Sequence, residues 1–543
     1  MNIKNDIKIA LASAVFAFGA TSCNDWLNVE MEDAIMENTL FSDDDGYLSA
    51  LTGCYIRLNE NYDNLLTRGG IDVMAQYYHV SPITDHAMYK YVAFQYDQLE
   101  SENDALWTKQ YSNIANLNVI LEHVANDNKL SEKYYNYVKG ECLALRAFLH
   151  FDLMRIYGPI YSAETADKET IPYQETASKE IQPLLPAKEV MEKIIRDLEE
   201  ASRLLETDRV REDGPQGQSI SDEKPTLRYR QFRLNYFATK LLLARVYMWI
   251  GDKEKAEATA KEVIKENNKN VQDEDGNTTV FSAFPWVKKA DIDEPKDGNP
   301  DRLFSSEVMF AVYDSKRSDF YNSRFATSLN MGSALYFSNW TEKEEGYWGS
   351  TYEYSKMIHF MDDVNDLRRK CQWESSKING GKEGEEWNGY YLSKFRSPDV
   401  SSTGTSLTDN SKLNLYMLPL IRLSEAYLII AECEAEKGNL QEAIDAINEL
   451  RLHRNTPNLE LTAEDNQETV KAYVTKEFMR EVVGEGQLFF YYKRNAMTKV
   501  LSDAPCTTIG AWSTTTVIDK EMNPGNYTWP MPKCEMDKRV TKQ

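Results

Sequence analysis

Two stretches of this chain repeat one spacing of small residues, and that spacing fixes how helices can pair. Ala244 lies seven residues before Gly251 and Ala256 five residues after it; Ala431, Gly438 and Ala443 repeat the same offsets. Residues 236–250, YFATKLLLARVYMWI, are apolar almost all round and stop at Gly251, after which Ala256, Ala260, Val263 and Ile264 share one helical face. Leu420, Leu423, Tyr427, Ile430 and Ala431 form a stripe that stops at Gly438, and Ala443, Ala446, Ile447 and Leu450 form the next. Small residues at these points let two antiparallel helices approach across a tight turn, the arrangement of a tetratricopeptide-like hairpin. The two glycines are 187 positions apart. The pattern therefore predicts a helical scaffold with an interruption, not a regular solenoid.

Further helical signals precede the first hairpin. Ile114, Leu117, Leu121 and Val124 step at helical spacing. Residues 138–157 are apolar on nearly every face and stop at Gly158-Pro159, a C-cap followed by a residue that cannot continue a helix. Residues 268–417 read differently, being rich in Asp, Asn, Gly, Ser and aromatics, with runs such as Val308–Tyr313 that suit strands. The expected fold class is mainly α: a hairpin scaffold over 23–267, a loop-rich segment with short strands over 268–417, and helical hairpins over 418–543 that pack back on the scaffold. Loops carried on such a frame are where binding surfaces concentrate.

The N-terminus sets the compartment. Lys4 and Lys8 precede the apolar run Ile9–Phe18, and the small residues Gly19-Ala20-Thr21-Ser22 lead into Cys23. A basic start, a run too short to span a bilayer and a small-residue site ending on cysteine read as a bacterial lipoprotein signal over 1–22, with Cys23 lipidated. Attachment would then rest on lipid. The formal charge is −24 and mean hydropathy −0.57. A surface this acidic repels phosphate backbones, so no nucleic-acid partner is expected.

Other chemistry is sparsely signalled. The remaining cysteines, Cys54, Cys142, Cys371, Cys433, Cys506 and Cys534, contain no C-x-x-C pair. Cys142 and Cys433 sit in apolar helical stretches and read as buried thiols. Export permits a Cys506–Cys534 bridge, but sequence separation leaves it open. The six histidines show no zinc spacing. The run Asp273-Glu274-Asp275-Gly276-Asn277 looks like part of a calcium loop, yet lacks the downstream bidentate Glu and reads as an acidic turn. No metal or cofactor is expected. Gly484-Glu485-Gly486 is a lone G-x-G, and Ser333 lacks a nucleophile-elbow frame. Arg422, Glu425, Glu432 and Arg451 could suggest acid/base pairs but read as structural ion pairs.

Several ordered blocks resemble the SusD/RagB family of Bacteroidetes outer-membrane lipoproteins: TSCNDWLNVE, ECLALRAFLHFDLMRIYGPI, TKLLLARVYMWIGDKEKAEATAKEVI, FPWV before EVMFAVY, LPLIRLSEAYLIIAECEAEKGNLQEAIDAINELRLHR, EFMREVVGEGQLFFYYKRNAM and YTWPMPKCE. Two departures stand out. Tyr157-Gly158-Pro159-Ile160 replaces a tyrosine-glycine-x-valine-proline turn, and Phe490-Tyr491-Tyr492-Lys493-Arg494 replaces an acidic-leucine-arginine run. The resemblance implies a non-catalytic lid on a SusC-like TonB-dependent transporter that captures oligosaccharides or, in some branches, peptides. A tethered hydrolase would need a catalytic constellation, and no motif supplies one.

A sugar-binding surface needs flat apolar faces with polar groups beside them. The chain holds 10 Trp and 32 Tyr. The resemblance implies ligand contacts from a loop near the first helices and from the central segment. Two aromatic sets fall there: Tyr77, Tyr78, Tyr89 and Tyr91, and Tyr336, Trp340, Tyr347 and Trp348 with Asn339. Candidate ligand contacts are thus Tyr77, Tyr78, Tyr89, Tyr336, Asn339, Trp340, Tyr347 and Trp348.

Overall fold

Both small-residue hairpins form. In the computed structural model, which describes residues 37–540 except 38, 81–84, 127–128, 179, 216–223, 225–226, 273–276, 344–350, 378–386, 400–405, 502–506, 510–511 and 514–517, the architecture is mainly helical. The larger helices of the N-terminal half are α1 (Asp44–Arg57), α2 (Gly70–Met74), α3 (Glu100–Asn126), α4 (Glu132–Tyr157), α5 (Ala187–Leu204), α6 (Tyr236–Ile250) and α7 (Lys253–Asn267). After α8 (Arg317–Arg324) the C-terminal half adds α9 (Ser424–Lys437), α10 (Leu440–Leu452), α11 (Gln467–Glu481) and α12 (Leu488–Arg494).

Gly251 and Gly438 end α6 and α9 with φ of 80° and 84°, a left-handed conformation that costs other residues about 1 kcal/mol or more. Their neighbours close the helix ends: the Asp252 N–H donates to Tyr247 O at 3.0 Å, and the Asn439 N–H to Glu434 O at 2.9 Å. Ala244, Ala256, Ala431 and Ala443 are all fully buried between paired helices. The hairpins are distant in sequence but adjacent in space, because α7 packs directly on α9. Arg245 grips Glu425 through two 2.6 Å bonds, and Lys437 pairs with Glu257. The interrupted scaffold is spatially continuous.

Helix α4 ends at Tyr157 by another device. Gly158 has φ −72°, so it is no left-handed cap. The fully buried Lys493 on α12 reaches the carbonyls of Arg155 (2.7 Å), Ile156 (3.3 Å) and Gly158 (2.6 Å) with its Nζ, supplying donors to carbonyls that the end of the helix leaves without intrahelical partners. The two departures from the family pattern thus meet each other. The Gly-x-Gly motif is equally structural: the Gly484 and Gly486 N–H groups both donate to the buried Asp72 carboxylate.

Two strands clamp the base of the central segment. β3 (Val308–Tyr313) pairs antiparallel with β8 (Met417–Arg422), and β8 leads into α9. A short exposed hairpin, β1 (Asn268–Gln272) with β2 (Thr278–Ser282), precedes them. Beyond the clamp lies an antiparallel sheet of six strands, ordered β11-β10-β5-β4-β7-β6. Four strands come from the central segment: β4 (Tyr336–Lys343), β5 (Thr351–Ser355), β6 (Trp373–Lys377) and β7 (Trp387–Leu392). Residues near the C-terminus add β10 (Thr507–Ile509) and β11 (Trp512–Ser513), while β9 (Lys499–Leu501) and β12 (Ile518–Glu521) pair separately.

The clamp is pinned to α11 by buried charge. Arg454 takes Glu307 at 2.8 and 2.7 Å and Glu481 at 3.0 and 2.6 Å, and Arg422 takes Glu481 and Glu485 at 2.5 and 2.8 Å. Each of these groups is at most 3% exposed. Such a network is costly to assemble and costlier to break. Glu425 and Glu432 pair with Arg245 and Arg494, and Arg451 with Glu477, so the expected structural ion pairs are present with these partners.

Candidate functional site

The pleat of the six-stranded sheet separates two faces. Phe337 on β4 is fully buried, its ring 4.2 Å from Trp373 and 5.4 Å from Phe360, so this parity faces the core. The neighbouring parity carries Tyr336, paired in register with Tyr391, and their rings lie 5.8 Å apart over Ala334, Leu329 and Met331. Two residues along, Ser338 stands opposite Gly389; two further, Trp340 stands opposite both Trp387 and Tyr354. The register continues through Tyr352, opposite Ile509, to Trp512. Aromatic positions on four strands (β4, β5, β7 and β11) therefore share one face, with a small-residue pair between two aromatic rows. Glycine inside a strand is a place where another group can approach the backbone closely.

The N-terminal loop meets this face at its inner end. The His79 N–H donates to Tyr336 O at 2.8 Å, and the two rings are 5.3 Å apart. Buried His86 accepts from the Met88 N–H at Nδ1 (3.1 Å) and reaches Ala334 O with Nε2 (3.3 Å), which fixes the Nε2–H tautomer. Burial lowers its pKa from the usual value.

The predicted contacts divide. Tyr77 and Tyr78 are fully buried, which corrects their reading as ligand contacts. Tyr77 donates to Met479 O at 2.6 Å, Tyr78 reaches Asp72 at 3.5 Å, and the Lys356 ammonium binds the Gln76 and Tyr77 carbonyls at 2.7 and 2.5 Å. They are struts that hold the loop against the sheet, because each hydroxyl finds its partner inside. Tyr91 is also buried, and Tyr89 is half-buried against the main core. Tyr336 belongs to the aromatic face, but at 1% exposure it forms the floor. Trp340 falls on the same parity, and Asn339 on the parity of Phe337. Cys23, Asp273, Tyr347, Trp348 and Cys506 lie outside the described residues.

Sequence reading missed Tyr352, Tyr354, Trp387, Tyr391 and Trp512. The period-2 spacing of Tyr352 and Tyr354 was a usable signal; the pairing of β10 with β5 had none. The Tyr391 hydroxyl is buried without a hydrogen-bond partner among the described residues, and burial raises its pKa.

Two buried carboxylates with raised pKa lie elsewhere and are occupied. Burial pushes Asp72 up to about 8 while the two glycine N–H groups hold it. Asp301, raised by burial, accepts from the Ser305 N–H and hydroxyl and from Asn414. Both are enclosed in the fold and bonded to their own neighbours, which is the signature of structural groups. Among the described residues, no group of three or more His, Cys, Asp or Glu side chains could hold a metal.

Known proteins place this architecture. The chain resembles a SusD superfamily protein from Bacteroides thetaiotaomicron at 20% identity, TM-score 0.61, covering 91% of this chain and 97% of that one. It also resembles a SusD-like carbohydrate binding protein from Bacteroides vulgatus at 17% identity, TM-score 0.59, covering 91% and 96%. The SusD-like protein P38 of Formosa agariphila is 23% identical over 374 residues, 66% of this chain, and the match spans 64% of that relative's length. A family model described as starch-binding associating with outer membrane matches residues 25–213. The SusD family model matches residues 244–541, more than half of the sequence, and the chain belongs to the SusD family.

Proposed function

We propose that this protein captures oligosaccharides at the cell surface on the aromatic face of its six-stranded sheet and hands them to a SusC-like TonB-dependent transporter, without covalent chemistry. The observation that carries the reading is the register that sets Tyr336 with Tyr391, and Trp340 with Trp387 and Tyr354, on either side of Ser338 and Gly389. Pyranose rings present C–H groups on their faces, which pack on aromatic rings, while their hydroxyls bond at the edges. Family membership supports the reading, as do the starch-binding description of the model matched over residues 25–213 and the carbohydrate-binding description of the Bacteroides vulgatus neighbour. A lipid (palmitate or another acyl chain) on Cys23 would tether the lid to the outer membrane, with Asn24–Glu30 as its leash.

Binding of the purified protein to a panel of oligosaccharides and peptides tests the ligand class. Retardation by a glycan without shorter products is the expected result. Cleavage of the glycan would overturn the non-catalytic reading, and binding to peptides alone would reassign the ligand. Replacing Cys23 with Ala should abolish surface retention and leave affinity unchanged.

A further inference from the structure

The joint between the helical scaffold and the central segment contains two buried arginines that share a single bonded carboxylate among the described residues. Arg68, from the loop before α2, is 0% exposed, and Arg317, at the start of α8, is 1% exposed. The Arg68 guanidinium lies 4.8 Å from the Phe320 ring centroid and 5.2 Å from that of Phe395, and Nη2 donates to Asp314 at 3.0 Å. Its Nε and Nη1 have no partner among the described residues. Among the described residues Arg317 makes one bond, Nη1 to Met417 O at 3.3 Å, and its Nε and Nη2 have none. Asp314 is the one carboxylate bonded to the pair among the described residues, and its other oxygen is taken by the Lys316 N–H at 2.8 Å.

The contrast with the other buried arginines is direct. Arg454 and Arg422 each hold two carboxylates, whereas Arg317 holds none among the described residues. Two further charges act from the periphery: half-buried Asp63 attracts Arg68, and Arg302 repels Arg317. Counting all five groups, the cluster is left one positive charge in excess. Burial lowers Arg317 to about 9 and Arg68 to about 10, still cationic at neutral pH. A water molecule would supply lone pairs but no charge, and an unpaired buried cation is strongly destabilising. The enclosure by Phe320 and Phe395 favours a monatomic guest over an oxyanion.

We propose that the Arg68 and Arg317 guanidiniums bind a buried inorganic anion of chloride size, which completes the joint between the loop before α2, α8 and the β3–β8 clamp. The site is separate from the aromatic face and independent of the glycan reading.

The protein, exchanged into sodium gluconate, is titrated with sodium chloride or bromide at constant ionic strength while thermal unfolding is followed. A saturable rise in Tm on the order of 1–3 °C with halide, absent with gluconate, is expected. Crystals grown in bromide should show an anomalous peak within hydrogen-bond reach of both guanidiniums. Arg317→Met should lose the halide-specific rise; if that variant does not fold, the bromide map of the unaltered protein decides. The absence of a halide-specific rise, an anomalous peak elsewhere, or density at the pair without anomalous signal would overturn the proposal.

Discussion

In the α6–α7 and α9–α10 hairpins the residues that define each turn lie within the hairpin itself, whereas the six-stranded sheet joins strands drawn from Tyr336 to Ser513. The hairpins need a glycine with positive φ, a pair of small contact residues and an apolar stripe. The sheet needs its strands delivered to each other by the β3–β8 clamp and by the loop that His79 and His86 fasten to Tyr336 and Ala334. Contacts close in sequence cost little chain entropy to form; distant ones must be repaid by burial or by charge. The buried ion network of Glu307, Arg454, Glu481 and Arg422 sits where the two regions meet, and the comparison turns on it.

Breaking that network should have the largest effect. Arg454→Met leaves Glu307 and Glu481 short of a partner, and a loss of about 3–5 kcal/mol in urea unfolding is expected. If the sheet region were independent of the scaffold, aromatic fluorescence would then report separate transitions rather than one.

Acid should strike the scaffold next. His150 on α4 is fully buried and neutral, its Nδ1–H donating to Arg146 O at 2.9 Å and its Nε2 accepting from the Gln174 N–H at 3.0 Å. Burial lowers its pKa to about 3, below the unfolded value of about 6.5. The folded state therefore binds fewer protons between those values. Its contribution is complete above about pH 6.5 and falls as pH drops through that window, by about 2 kcal/mol at pH 5. Urea unfolding at pH 7.5 and 5.0 should show this slope, and His150→Gln should flatten it.

The aromatic face should respond in affinity and not in stability. Trp340→Ala with Trp387→Ala is expected to weaken oligosaccharide binding by about tenfold or more, equivalent to about 1.4 kcal/mol. Unchanged affinity in the folded double variant would reject this face as the binding platform. Gly251→Ala should do the reverse. With no neighbour within 4 Å of a Cβ there, only the left-handed backbone matters, and a loss of about 1 kcal/mol in stability with unaltered affinity is expected.

The candidate site was half legible. The loop-like context of Tyr336 and Trp340 points to a surface, and both fall on the aromatic parity of β4. Tyr77 and Tyr78 share that context and are buried struts, because an aromatic in polar sequence looks alike whether its hydroxyl meets solvent or a carbonyl such as that of Met479. Trp512 was invisible for another reason: a two-residue strand has no periodicity of its own. Lys493 shows the same limit in the scaffold, where its role depends on the end of a helix more than three hundred residues away.

By itself the sequence determined the mainly helical class, the two hairpins with their glycine stops and the strand Val308–Tyr313. Each is written in residues close enough to act on one another before the chain folds. Only the tertiary structure decided that α7 meets α9, that β10 and β11 complete the sheet, and which tyrosines form a face and which a floor. Those outcomes depend on which distant segments share a buried surface, and no local spacing encodes that.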